Sequence, residues 1–165
     1  MQATSNQSLE TRSWLDRPLL SSITINWELV LFATIVLIAI VTRFYDLETR
    51  VMSHDESLHT YYSWQLFRGN GFQHTPLMHG PLQFHIIAFM YFIFGDSDFS
   101  ARIPAVVTSI ASVALMWQYR RYLGRVGAII AAVLLTISPF MLYYGRYVRN
   151  EAYIGLFGLI ALWAV

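Results

Sequence analysis

From Trp27 to Thr42 the chain is almost wholly apolar, and Leu29 to Val41 carries no charged side chain. Lipid offers the backbone no hydrogen-bond partner, so a run like this closes its own bonds as a helix. Trp27 stands at one end, with Arg43 and Tyr45 at the other, as aromatic and basic anchors do at a membrane surface. Further apolar runs follow at residues 82–94, 99–119, 126–144 and 152–165. Hydrophobic residues make up 56% of the chain and mean hydropathy is +0.46, too apolar for an ordinary soluble domain. The expected fold class is therefore all-α, a polytopic transmembrane helical bundle. Its spans are placed at about 27–43, 99–119, 126–144 and 152–165.

Composition excludes several function classes. With no cysteine, neither a disulfide frame nor a thiolate zinc site can form. All eleven basic side chains are arginines, which suits bidentate phosphate recognition and equally reflects compositional bias. The net charge of +1, with no basic stripe, predicts no nucleic-acid partner. Residues 1–22 are polar and lack the early apolar core of a cleavable signal, which makes them a cytoplasmic tail before a partial membrane domain, 23–165. The last run, Gly155 to Val165, covers about half a bilayer, and predicts the front piece of a longer protein or a truncated relic.

Two polar stretches interrupt this pattern. Ser53-His54-Asp55-Glu56-Ser57-Leu58-His59 follows the first apolar run, and Arg146-Tyr147-Val148-Arg149-Asn150-Glu151 comes nearly a hundred residues later. Carboxylates beside a bilayer are costly unless water, a partner or a ligand compensates them. Residues 56–67 are expected to form a helix lying on the membrane, stopped by Arg68-Gly69-Asn70-Gly71. Leu82 to Phe94 is apolar but short, about 20 Å long against about 30 Å of hydrocarbon. It is therefore expected to be a juxtamembrane or half-inserted element that does not cross. Asp55 and Glu151 then face the same, outer side, and Arg120–Arg125 is a cytoplasmic loop. Ala101, Ala105 and Ser109 make a small-residue ridge for helix packing. Pro139 is expected to kink the run 126–144.

Each constellation has a chemical and a structural interpretation. Asp55 can serve as a general base tuned by Glu56, while both also suit the first turn of a helix capped by Ser53. His54, His59 and His79 are candidate ligands for a divalent metal, although the His-Glu-x-x-His order is absent. Arg146 and Arg149, beside Tyr143, Tyr144 and Tyr147, suit a lipid-linked phosphate or simple interfacial anchoring. Arg102 carries the same two readings.

The order of short strings resembles a known family. Asp55-Glu56, Gly80-Pro81-Leu82, Phe94-Gly95, Ser100 to Ala105, Arg120 to Gly124, Ser138-Pro139 and Tyr144 to Glu151 follow one another as in GT-C glycosyltransferases. These include the protein O-mannosyltransferases and the aminoarabinose transferase of lipid A. The pattern is most like a prokaryotic branch labelled flippase-activity-associated. The resemblance covers about residues 40–155. It implies an integral membrane enzyme of the plasma membrane, with a cytoplasmic N-terminus and an outward-facing site. Its donor would be a polyprenyl-phosphate-linked sugar held in the membrane lipid. Asp55 falls on the catalytic carboxylate, Glu56 on its companion and Glu151 on the second acidic position. His79 falls on a metal-binding glutamate of the aminoarabinose transferase, and the change to His keeps a possible ligand there, beside the local candidate His59. Arg146 and Arg149 would meet the donor phosphate. The alternative is a non-catalytic transmembrane subunit of a larger membrane complex. The scarcity of charge within the spans argues against a transporter fragment.

Overall fold

The computed structural model describes residues 26–72 and 80–165, so the polar tail and His79 lie outside the described residues. Seven helices follow in order: α1 Trp27–Phe44, α2 His54–Phe67, α3 Leu82–Phe94, α4 Asp98–Leu115, α5 Arg120–Ile137, α6 Pro139–Tyr144 and α7 Glu151–Ala164. Among the described residues every regular element is helical. Two of them, α1 and α4, are long and apolar enough to cross a membrane.

Asn26 starts α1 by accepting a hydrogen bond from the Leu29 amide at 2.9 Å. The helix buries Phe32, Ile35, Ala39 and Arg43, a spacing of three and four that defines one face. Leu37 and Val41, on other faces, remain exposed, as suits contact with lipid. Helix α4 is the centre of the bundle and touches α1, α3, α5 and α7. Ala101, Ala105 and Ser109 are buried on it, so the small-residue ridge does admit close neighbours. One core gathers Phe32, Ile35 and Ala39 of α1 with Val113, Met116 and Ala132, and the Phe32 ring meets Trp117 edge-on at 5.1 Å. A second core joins Ile87 and Tyr91 of α3 to Ala101 and Val148. The α2–α3 pair leans on this second core.

Several elements differ from the sequence expectation. Helix α4 ends at Leu115; residues 116–119 wind on through i→i+3 bonds straight into α5, which contains Arg120 and Arg121. What looked like a basic loop is thus helical until Gly124, whose positive φ of 69° breaks the winding. The run 126–144 is two helices and not one kinked rod. Pro139 forces Ser138 into an extended conformation (φ −57°, ψ 123°), and Ser138 then caps α6 through the Met141 amide.

That break has a consequence inside the bundle. Pro139 has no N–H, so the Leu135 carbonyl loses its usual helical donor. Arg43, fully buried at the end of α1, fills the gap: its Nη2 donates to the Leu135 carbonyl at 2.9 Å, and its Nε donates to Ser109 Oγ at 2.7 Å. One guanidinium thereby ties α1, α4 and α5 together. Arg43→Met leaves both acceptors orphaned and is expected to cost about 1–3 kcal/mol. A melting temperature in detergent equal to wild type would contradict this.

Candidate active site

The site is built from the two polar stretches, and Glu56 holds them in register. Ser53 caps α2 with its hydroxyl, while its own amide donates to Glu56 Oε2 at 3.2 Å, a reciprocal capping box. The same oxygen accepts from Arg50 Nη2 at 2.8 Å. The other, Oε1, accepts from Arg102 Nε at 3.3 Å and from the Val148 amide at 3.2 Å. Four donors from three segments of the chain thus close on one carboxylate that has no exposed surface. Arg102 is also nearly fully buried; it gives Nη1 to the Leu47 carbonyl at 2.6 Å and Nη2 to the Arg50 carbonyl at 2.9 Å. This fixes the turn that leaves α1. Asp46 occupies a left-handed conformation there (φ 55°), which an aspartate tolerates better than most residues.

The second stretch packs against the first and against the turn that precedes it. Gly145 sits against Ser109 of α4. Arg146 Nη2 donates to the Tyr45 carbonyl at 2.7 Å and to the Asp46 carbonyl at 2.9 Å. The Tyr147 and Ser53 hydroxyls are 2.5 Å apart. Val148 meets Glu56 as above. Arg149 then places Nη1 3.3 Å from Asp55 Oδ2 and Nε 3.3 Å from Glu151 Oε1. Asp55 and Glu151, 96 positions apart by their numbers, therefore share one guanidinium. Glu151 starts α7, and Asp55 sits in the first turn of α2, where the helix dipole favours negative charge. Asp55 is about half exposed, at 47% of its side-chain surface, in contrast to its buried neighbour Glu56.

This register depends on Gly145. A Cβ there would overlap the Ser109 hydroxyl and the Met141 carbonyl oxygen, neither of which is a flexible chain end. Gly145→Ala is expected to push residues 146–149 away from α2 and to cost about 1–3 kcal/mol. Thermal melting in detergent measures the loss. An alanine variant as stable as wild type would show that α4 gives way instead.

With this geometry in view, the family comparison is decisive. Residues 78–165 match the family described as dolichyl-phosphate-mannose-protein mannosyltransferase, 88 of the 165 residues. The chain belongs to this family. No curated protein and no solved structure matches it. In this mannosyltransferase-family chain the matched residues contain Arg102 and all of the second polar stretch, while Asp55 and Glu56 lie before them.

The arginines expected to meet a phosphate are placed differently from one another. Arg149 is engaged by two carboxylates. Arg146 lines a cavity of about 450 Å³ together with Tyr45, Arg50, Arg102, Leu142 and Tyr143. Arg50 lies over the Tyr143 and Tyr147 rings, 5.0 and 5.1 Å from their centroids. Burial, then the neighbouring Arg50 and Arg102 charges, push the Arg146 guanidinium below its ordinary value, against an opposing pull from Asp46. Arg50 was not picked out from sequence. Its only local signal is an arginine six positions before an acid, which is too common to single out.

The histidines do not assemble a metal centre among the described residues, where no three histidine or acidic side chains stand close enough to hold an ion. His59 is buried; its Nδ1–H donates to the Asp55 carbonyl at 2.7 Å, and its ring stacks on Phe84 at 5.3 Å. His54 is exposed at the start of α2.

Proposed function

We propose that this chain carries out the work of a membrane glycosyltransferase. It moves a sugar from a polyprenyl-phosphate carrier to an acceptor hydroxyl at the outer face of the membrane. The observation that carries this reading is the half-exposed Asp55 carboxylate, held by Arg149 together with Glu151 at the junction of two distant polar stretches. In the reaction, Asp55 takes the proton of the acceptor hydroxyl. The acceptor oxygen attacks the anomeric carbon, the bond from that carbon to the phosphate oxygen breaks, and the lipid phosphate leaves with the electron pair. Glu56 is enclosed by four donors and acts as a positioning residue, setting the height and angle of Asp55. Arg149 and Glu151 orient the same carboxylate from the other stretch.

The family's name supplies the first donor to try, a mannosyl polyprenyl phosphate. On this reading α1, α4 and α5 cross the membrane, α2 and α3 lie on its outer surface, and the N-terminus is cytoplasmic. The shared Arg149 supports the placement of both acidic residues on one side, since one guanidinium cannot reach two faces of a bilayer.

The test is transfer of radiolabelled mannose from mannosyl polyprenyl phosphate to serine- and threonine-containing peptides and to lipid acceptors, with the full-length protein in lipid nanodiscs. Acceptor-dependent transfer is the expected result. A protein that transfers from no polyprenyl-phosphate sugar, and copurifies with other membrane proteins, would favour the non-catalytic subunit instead.

A further inference from the structure

A second cleft, of about 220 Å³, opens between α2 and the turn that joins α3 to α4. Its α2 wall is Ser57, Thr60, Tyr61 and Trp64. At roughly 100° per residue these lie about half a turn round the helix from Asp55. The cleft is therefore separate from the Asp55–Arg149–Glu151 group. Opposite stand Tyr91, Asp96 and Asp98. Trp64 Nε1 donates to Asp96 Oδ2 at 2.9 Å and ties the two walls together. The start of α4 is capped by the Ser97 and Ser100 hydroxyls, so neither aspartate is spent on that task.

This cleft is rich in acceptors and short of donors. Asp98 keeps both carboxylate oxygens and Asp96 keeps Oδ1, and among the described residues neither carboxylate has a cationic partner. Ser57 donates its hydroxyl proton to the Ser53 carbonyl, and Thr60 donates to the Glu56 and Ser57 carbonyls, which leaves both with lone pairs only. Tyr91 is 5% exposed, yet among the described residues its hydroxyl finds no hydrogen-bond partner. A buried phenol is ordinarily hydrogen-bonded. Burial, then the Asp98 and Asp96 charges, push this phenol up and keep it neutral. A fitting ligand must therefore bring N–H donors and positive charge. The Tyr61 and Trp64 rings favour an alkylated ammonium over a hydrated metal ion. Nor does any third acidic or histidine side chain among the described residues complete a metal shell here.

Two neighbours indicate what carries the ammonium. The Arg68 guanidinium lies over the Trp64 ring, 5.6 Å from its centroid, and among the described residues no acid pairs with it. Trp64 thus has a carboxylate at its edge and a guanidinium on its face. That array is complementary to a zwitterion in which an ammonium and a phosphodiester stand close together. On the other flank, Phe92, Ile93 and Phe94 end α3, exposed, directly before the turn that carries Asp96. Exposed apolar side chains beside interfacial aromatics suit hydrocarbon tails. We propose that this cleft holds the headgroup of an aminophospholipid, with its primary ammonium on Asp96 and Asp98 and its phosphodiester toward Arg68. The proposal rests on α3 lying at the membrane surface and not on the transfer of sugar.

Native mass spectrometry of the purified protein in detergent, titrated with lipids of identical chains, is the test. Phosphatidylethanolamine is expected to bind about tenfold more tightly than phosphatidylcholine, which has the same phosphodiester but no N–H donor. Asp98→Asn, at an exposed position, should cut that preference to about twofold. Tyr91→Phe removes only a hydroxyl that has no internal partner. It should weaken phosphatidylethanolamine binding about threefold without lowering the melting temperature, which a purely structural tyrosine would not do. Equal affinity of the wild type for the two lipids, or an undiminished preference in both variants, overturns the proposal. Ethylamine or a lysine-containing peptide displacing the lipid at equal concentration overturns its assignment to a lipid. Asp98→Asn should also transfer sugar at the wild-type rate in phosphatidylcholine nanodiscs. A lipid preference in a protein that transfers no sugar therefore sinks the glycosyltransferase reading alone, and full transfer without the preference sinks this proposal alone.

Discussion

Asp55→Asn is expected to lower sugar transfer by about 10²- to 10⁴-fold, the usual contribution of a positioned general base. The substitution keeps the size and planarity of the side chain and removes its basicity. Its ion pair with Arg149 is half exposed on the Asp55 side and one-third exposed on the other. Such a pair contributes about 0–1 kcal/mol to stability. Arg149 also retains Glu151 as a partner. Expression and melting temperature should therefore stay near wild type while initial rates of mannose transfer collapse. Transfer within threefold of wild type would remove Asp55 from the chemistry and leave the paired stretches as architecture.

Glu56→Ala should behave in the opposite way, with a large loss of stability that precedes any loss of rate. Removing the carboxylate strands the buried Arg102 charge and leaves the Ser53 and Val148 amides without acceptors. Deleting one member of a buried ion pair costs about 3–5 kcal/mol, much of it the penalty on the partner left behind. Because the four donors come from the first loop, α4 and the second loop, all three should loosen together. Denaturation in detergent is the measurement, and limited proteolysis at the Arg50 and Arg149 segments should report the loosening. Glu56→Gln preserves the shape and one carbonyl acceptor, and should fall between the two. If Glu56→Ala melts like wild type but loses transfer, Glu56 belongs to the chemistry and not to the scaffold.

The contrast between these two neighbours marks the limit of sequence reasoning. Asp55 and Glu56 are adjacent acids in the first turn of α2, and either can favour the helix start. Successive helical residues point about 100° apart, so one faces outward and the other inward. Which is which depends on Arg102 and Val148, 46 and 92 positions away. No local pattern encodes contacts at that distance. Arg43 shows the same limit: from sequence it is a membrane-edge anchor, yet it is buried on a carbonyl that Pro139 has freed. Arg50 went unnoticed because its partners, Glu56 and the Tyr143 and Tyr147 rings, meet only after α6 folds back over the first loop.

Helices and their caps were determined by the sequence itself. An apolar run in lipid has no other way to satisfy its backbone, and Asn26, Ser53 and Ser97 each bond amides within three residues. The positive φ of Gly69, Gly95 and Gly124 likewise belongs to the residue type. Only the tertiary structure decided which polar groups became scaffold and which stayed available. Burial of a charge is governed by how many donors converge on it, and that number is set by helices packing side by side, not by neighbours along the chain.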